Sequence, residues 1–240
     1  MIERLKRIYR KEMFNPGVLG IFINPFFFIR RGLHKGISSN VNFMQGEVLD
    51  FGCGKKPYRN LFKVKKYIGI DIEESGNESS KDAIDVFYDG EKIPFNSEHF
   101  DSIFSSEVFE HVFELEKVLN ELYRVCKPGG HLLATVPFVW DEHEQPYDFG
   151  RYSSFGIKYL LNKAGFEIII ISKSTNYVET IFQMWNAYVW QHILRVRFFQ
   201  VIFTPLIISP VTIIGLAISW LLPKNYNFYH NNIIVAKKTI

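Results

Sequence analysis

Between residues 47 and 174, short apolar runs alternate with a segment of helical period, and this alternation narrows the fold more than any other feature. "EVLDF" (47–51), "YIGID" (67–71) and "FDSIFSS" (100–106) have the length and bounding residues of strands. "VFELEKVLNELYRVC" (112–126) places Val112, Leu115, Val118, Leu119, Leu122 and Val125 on one helical face, and Pro128-Gly129-Gly130 stops that helix. "HLLATVPF" (131–138) reads as a buried strand. "SSFGIKYLLNKAGF" (153–166) reads as a helix with Ser153 or Ser154 as N-cap and Gly165 as C-cap. "EIIIISKS" (167–174) and "NIIVAKK" (232–238) complete the strands. Alternation of this kind predicts an α/β fold, a Rossmann-like, doubly wound, mostly parallel sheet with helices on both faces.

At 240 residues the chain has room for one such domain and additional material. Its charge is unevenly spread. Residues 1–45 carry eight Lys/Arg against Glu3 and Glu12; residues 46–175 carry 15 basic and 22 acidic side chains; residues 176–240 carry five basic side chains against Glu179. Four segments follow: a basic, apolar N-terminal extension (1–45), a core (46–175), an apolar insert (176–230) and the last strand of the core (231–240). Basic flanks beside apolar runs suit an anionic lipid surface. Nucleic acid is not expected, because the core is acidic and its aromatics do not alternate with basic residues. Cys53 and Cys126 are too few for a disulfide framework and lack metal-ligand spacing, so no metal is expected and a reducing, cytoplasmic setting is the simpler reading. Pro16 and Pro25 interrupt the apolar part of the N-terminal segment, which argues against a cleavable signal peptide.

The loop 50–58 follows the first strand, where sheets of this class bind ligands. Gly52 and Gly54 allow a sharp turn and close approach of backbone to ligand. Asp71 ends the next strand 21 residues after Asp50, where a carboxylate can accept both hydroxyls of a ribose. A nicotinamide or flavin fingerprint would place a third glycine where Lys55-Lys56-Pro57 stands, and Asp50 would repel a pyrophosphate. An acid there suits a ligand with an amino group and no phosphate, which favours S-adenosylmethionine over NAD.

"VLDFGCG", "YIGIDI", "DGEKIPFNSEHFDSIFSSEVFEHV" and "LYRVCKPGGHLLATVPF", in that order, resemble class I S-adenosylmethionine-dependent methyltransferases of the methyltransferase type 11-like kind. The resemblance runs over residues 47–175 and the final strand, and it implies a seven-stranded sheet. It also implies that Asp50, Gly52, Cys53 and Gly54 form the first cofactor loop, and that Asp71 with Ile72 meets the ribose. It places Asp89 and Gly90 near the adenine, and Ser106 and Glu107 at the methionine end. "GCGxKPY" and "HEQPYDFGRYSSFGIKYLLNKAGFE" (143–167) look like a subgroup linked to surface polysaccharide or lipid-linked glycan assembly.

"WDEHEQPYDFGRYS" (140–153) follows the fifth strand, where an acceptor would meet the methyl donor. Its side chains are more polar and aromatic than a connector requires. The reading gives His143 the acceptor's proton and gives Tyr147, Asp148, Arg151 and Tyr152 the binding of the acceptor. The plainer alternative is a surface loop whose Tyr and Arg brace the next helix. His111, in "EVFEHV", reads as structural.

Within the insert, "FFQVIFTPLIISPVTIIGLAISWLL" (198–222) is uncharged and long enough to span a bilayer. A single crossing would carry the last strand away from its sheet, and Pro205 and Pro210 would break one straight helix. A shallow hairpin or an interfacial helix pair is expected instead. Arg195, Arg197 and Lys224 would face headgroups, Trp185, Trp190, Trp220 and Tyr226 would lie in the interface, and residues 17–31 could join that face. The alternative is burial as a lid or dimer interface. The function expected is O-methylation of a sugar or lipid-linked glycan by an enzyme peripheral to the inner face of the cytoplasmic membrane. The alternatives are methylation of a lipophilic small molecule such as a quinone precursor, and a catalytically silent membrane module.

Overall fold

A computed structural model describes residues 2–72 and 82–239. The strands are β1 (Glu47–Phe51), β2 (Lys66–Ile72), β3 (Val86–Tyr88), β4 (Phe100–Ser106), β5 (Cys126–Pro137), β6 (Phe166–Lys173) and β7 (Asn231–Lys238). They form one seven-stranded sheet in the order β3-β2-β1-β4-β5-β7-β6. The pairs β1–β2, β2–β3, β1–β4 and β4–β5 are all parallel, as the alternating pattern requires. The chain winds outward from β1 through β2 to β3 and then returns to β4 on the other side of β1. The order therefore switches between β1 and β4, and a ligand crevice opens at their carboxyl ends.

The helices are α1 (Ile2–Phe14), α2 (Gly20–Ile23), α3 (Phe27–Asn40), α4 (Leu115–Val125), α5 (Ser154–Lys163), α6 (Tyr177–Tyr188), α7 (Arg197–Phe203) and α8 (Ser209–Leu221). Along α4, Leu115, Val118, Leu119, Leu122 and Val125 are buried against the sheet with Phe51, Ile103 and Leu132. Each such side chain contributes about 1.5–3 kcal/mol relative to exposure. Val112 precedes this helix, which begins three residues later than its apolar period suggests. At its other end β5 starts at Cys126 and absorbs Pro128-Gly129-Gly130, with Gly129 at φ +79°. Ser153 caps α5 by accepting the Gly156 amide at 3.2 Å. The C-cap of that helix is Ala164, with Gly165 beyond it at φ +99°. Three-residue β3 is too short to show a period in sequence.

The chain divides into two units. Residues 36–172 with the last strand carry the sheet, and residues up to 35 with 173–231 are mainly helical. Residues 36–45 thus fall with the sheet rather than with the extension. Gly36 packs against β7 there, where a Cβ would lie 2.7 Å from Ile233 Cγ1.

In the helical unit, residues Arg197–Leu221 form one 25-residue helical run. The expected breaks at Pro205 and Pro210 do not occur. A π turn, Thr204–Ile208, joins α7 to α8, and this wider turn accommodates the prolines, which have no N–H to give the run. α6 and α8 pack together with an unusual polarity. The buried residues of α6 are Thr180, Gln183, Asn186 and Ala187; those of α8 are Ser209, Thr212, Gly215 and Ser219. Asn186 Nδ2 donates to Thr212 Oγ1 at 2.9 Å, and Asn176 Nδ2 donates to Ser219 Oγ at 2.8 Å. Phe198, Val201, Leu206, Trp220 and Leu221 are exposed. The seam is polar and the outside is apolar.

Candidate active site

The turn after β1 is held over β2. The Gly52 and Cys53 amides both donate to Ile70 O, at 2.9 and 3.1 Å. Gly52 at φ +68° and Gly54 at φ +45° adopt the left-handed region, where a side chain is strained. A Cβ on Gly52 would collide with Val108, whereas one on Gly54 would meet nothing within 4 Å. Gly54 thus faces open space on the ligand side. Its amide donates to Asp71 Oδ2 at 2.9 Å, and Ile72 N donates to Asp71 Oδ1 at 2.9 Å. Two backbone amides orient the Asp71 carboxylate and leave further lone pairs open. Burial, and more weakly Glu144, push its pKa up against those amides.

Asp50 differs from its expected part. It is 3% exposed and accepts the Tyr67 hydroxyl at 2.7 Å, so it offers no open negative face to the crevice. Burial pushes its carboxyl up to about 7, against the pull of Tyr67 and Lys56. Its sequence-based role in repelling phosphate is therefore weaker than a free carboxylate's would be. Cys53 is buried, and burial pushes its thiol up. Lys56, at φ +50°, reaches across Gly69 to Asp85 at 2.6 Å, and Asp85 also accepts the Gly69 amide at 2.7 Å. Tyr58 is buried against Phe104. The Lys55-Lys56-Pro57-Tyr58 segment thereby anchors the turn.

Beyond Asp71, Ile72 is 39% exposed and lies near Gly90, whose Cβ would stand 3.9 Å from Ile72 Cγ2. Asp89 follows β3, and its Oδ1 closes a local turn by accepting Glu91 N and Lys92 N at 2.9 and 3.0 Å. At the end of β4, Ser106 Oγ is 2.8 Å from Thr135 Oγ1, and that hydroxyl donates to Glu107 Oε1 at 2.7 Å. Glu107 sits at φ +57°, a conformation rare outside glycine and characteristic of constrained sites.

The loop 138–153 folds onto the turn after β4. Phe149 N and Gly150 N donate to Glu110 O at 2.7 and 3.2 Å, and His111 Nδ1 lies 2.6 Å from Tyr147 O. This brings His143 beside His111, with ring centroids 4.8 Å apart and the planes at 78°. Arg151 and Asp148 hold the loop from inside. All five guanidinium N–H groups are used: Nε on Trp140 O, Nη1 on Asp148 Oδ1 and Gly150 O, Nη2 on Asp141 O and Asp148 Oδ2. Arg151 keeps Asp148 down at about 2. The pair spends its hydrogen bonds on bracing the loop, a role added to the acceptor binding expected of it. Tyr152 is likewise half-buried in the core packing, with its carbonyl taking Asn232 Nδ2 at 2.8 Å. Tyr147 remains exposed. A cavity of about 200 Å³ opens among Trp140, Glu142, Asp148, Phe149, Gly150 and Arg151.

Residues 49–134 match the family described as a methyltransferase domain. Malonyl-acyl-carrier protein O-methyltransferase of Calditerrivibrio nitroreducens is 29% identical over 126 residues, which cover 52% of this chain and 50% of that one. The chain spans about half the length of this relative. Among solved structures, a chain of the Haloferax volcanii complex containing the Trm112 methyltransferase activator superposes with a TM-score of 0.57 at 16% identity. The match covers 87% of this chain and 89% of that one. Haemonchus contortus phosphoethanolamine N-methyltransferase 2, solved with S-adenosylhomocysteine, gives 0.53 at 18% identity over 96% and 59% of the two chains. The fold is therefore that of S-adenosylmethionine-dependent methyltransferases. The site fits that cofactor at Asp71 and Gly54: a cradle lies open above Gly54, and the carboxylate oriented by the Gly54 and Ile72 amides stands beside it.

Sequence reasoning passed over Tyr67, Asp85 and Glu110. Glu110 stands three residues after Glu107 in "SSEVFEH", and its spacing to the acceptor loop shows only in the folded chain.

Proposed function

We propose that the chain is an S-adenosylmethionine-dependent methyltransferase that O-methylates a sugar or lipid-linked glycan at the inner face of the cytoplasmic membrane. The observation that carries the activity is the Gly54–Asp71 arrangement at the switch between β1 and β4. Asp71 would bind the ribose, with Ile72, Asp89 and Gly90 along the adenine and Ser106 and Glu107 at the methionine end. When bound, the cofactor supplies an electrophilic methyl on a sulfonium. The protein's contribution is to hold an acceptor oxygen in line with the carbon–sulfur bond, to exclude water and to ease the loss of the hydroxyl proton. His143, with Tyr147 at the open rim, would engage that hydroxyl.

The membrane part of the reading rests on the helical unit. Polar and small residues line the α6–α8 seam while large apolar side chains face outward, the inverse of a water-soluble pair and the arrangement suited to lipid. Ser174 N donates to Asn231 O at 3.0 Å, so the insert departs and returns at one point. That fits a hairpin lying in one face of a bilayer, with Arg195, Arg197 and Lys224 toward anionic headgroups.

A second reading is favoured by Phe113 and Phe149, an exposed aromatic pair with centroids 5.2 Å apart beside the loop, which would suit a lipophilic small acceptor. Methyl-labelled S-adenosylmethionine, incubated with the protein and a fractionated cell-envelope extract, tests both. Label in the glycolipid or polysaccharide fraction is expected; label in small extractable lipids supports the second reading. No transfer to any fraction by protein that binds S-adenosylhomocysteine overturns the enzymatic proposal. Flotation with anionic liposomes at low salt is expected, and failure to float removes the membrane assignment.

A further inference from the structure

Glu110 is fully buried, and neither carboxyl oxygen has a hydrogen-bond partner. A buried carboxylate left in this state is costly unless a positive charge stands against it. Two imidazoles do face it. One ligand atom from each of Glu110, His111 and His143 lies within 4.8 Å of the others. We propose that Glu110, His111 and His143 form a binding site for a divalent cation at the acceptor end of the crevice.

The surroundings are arranged as they are around a metal ligand. His111 Nδ1, 2.6 Å from Tyr147 O, donates to that carbonyl, which leaves the lone pair of Nε2 directed toward Glu110 Oε1 at 3.8 Å and Glu144 Oε2 at 3.9 Å. A carbonyl behind one nitrogen fixes the tautomer and makes the other the ligand. The backbone of Glu110 is pinned by Phe149 N and Gly150 N, so the turn that carries two of the groups cannot drift from the loop that carries the third. The loop itself is set by Arg151 and Asp148, and the His143 amide donates to Asp148 Oδ2 at 2.9 Å. Glu107 and Glu144 add negative charge nearby; Arg151, whose Nη2 lies 3.3 Å from His143 Nδ1, also faces Glu110, but its charge is paired with Asp148.

Two nitrogens and one carboxylate are a donor set for Zn²⁺, Mn²⁺ or Fe²⁺ rather than for Mg²⁺ or Ca²⁺, which prefer all-oxygen shells. Metal–ligand bonds of about 2.0–2.2 Å would draw the three atoms together by roughly 1 Å, within reach of small ring rotations. Three protein ligands leave positions for an exogenous oxygen. On the methyltransferase reading, on which this step rests, that oxygen belongs to the acceptor. Its hydroxyl loses its proton to solvent more readily when bound to the cation. The oxygen then forms a bond to the methyl carbon as the carbon–sulfur bond breaks and its electron pair stays on sulfur. His143 acts here as a ligand, in place of the base expected from sequence.

The test is titration calorimetry of the full chain with Zn²⁺ and with Mn²⁺, alongside a separate titration with S-adenosylhomocysteine. Expected is one cation per chain, with affinity falling at least tenfold in Glu110→Gln and in His111→Ala and S-adenosylhomocysteine affinity unchanged in both. The cation should also raise the melting temperature of the wild type and leave that of Glu110→Gln unmoved, which separates lost binding from lost folding. Equal cation binding in wild type and both variants, or none in the wild type, overturns the site. Loss of S-adenosylhomocysteine binding by the wild type would instead strike the methyltransferase reading, whatever the cation titration shows.

Discussion

The ammonium of Lys56 and the carboxylate of Asp85 meet at 2.6 Å directly across Gly69. A Cβ at Gly69 would collide with Lys56 Cε and Cys53 Sγ, so the cofactor turn can lie on β2 only because that residue is bare. Gly69→Ala is expected to lift the turn and weaken S-adenosylhomocysteine binding at least tenfold. It should also destabilise the fold by about 1–3 kcal/mol, as overpacking does. Calorimetry and denaturant unfolding read the two effects. Lys56→Met should weaken binding by a smaller factor, and unchanged affinity in both variants would detach the clamp from the site.

Asp50 makes stability depend on pH in a definite sense. Its folded pKa, about 7, lies above the ordinary 3.8, so its favourable contribution is complete below about pH 4 and is lost as pH rises through 7. Asp50→Asn keeps an acceptor for Tyr67 and removes the charge. Wild type and variant should be equally stable near pH 4. The variant should gain steadily above that, by up to about 4 kcal/mol at pH 8. Parallel unfolding curves at every pH would contradict the burial argument.

Asp71→Ala removes the carboxylate that two amides orient. Hydrogen bonds to a charged group contribute about 1.5–3 kcal/mol each, so affinity for S-adenosylhomocysteine should fall by at least tenfold. Calorimetry at neutral pH decides it, and an unchanged affinity refutes the ribose assignment.

Arg151→Lys replaces five fixed donors with three mobile ones. Loss of the paired guanidinium should cost about 2 kcal/mol of stability and spread the 138–153 loop. KM for the acceptor should rise while cofactor affinity stays constant. The low pKa of Asp148 places its contribution above pH 4, lost as pH falls toward 2. The variant should lose that acid-side dependence.

What could be read from sequence was local. The strands, the glycine turn and the acid at the end of β2 announce themselves through composition and spacing along one stretch of chain. Asp50 was misjudged because its partner, Tyr67, lies on β2, and only the β1–β2 register brings the two together. Arg151 suggested acceptor binding because sequence displays charges and hides carbonyls; three of the guanidinium's acceptors are backbone oxygens. The polar residues of α6 are visible in the sequence but their direction is not: Thr180, Gln183 and Asn186 are all buried. Pro205 and Pro210 suggested breaks, and the π turn absorbs them.

Ser174 and Asn231 meet across a 3.0 Å hydrogen bond, although a long hydrophobic excursion separates them. An excursion whose two ends meet is a cassette that a protein engineer can take out. Excising it together with its N-terminal companion, residues up to 35, and joining β6 to β7 by a short turn should leave a domain that handles like an ordinary water-soluble protein. On the membrane reading proposed above, such a minimal domain would uncouple turnover from the lipid surface and show how much of the rate depends on confining enzyme and acceptor to the same two dimensions.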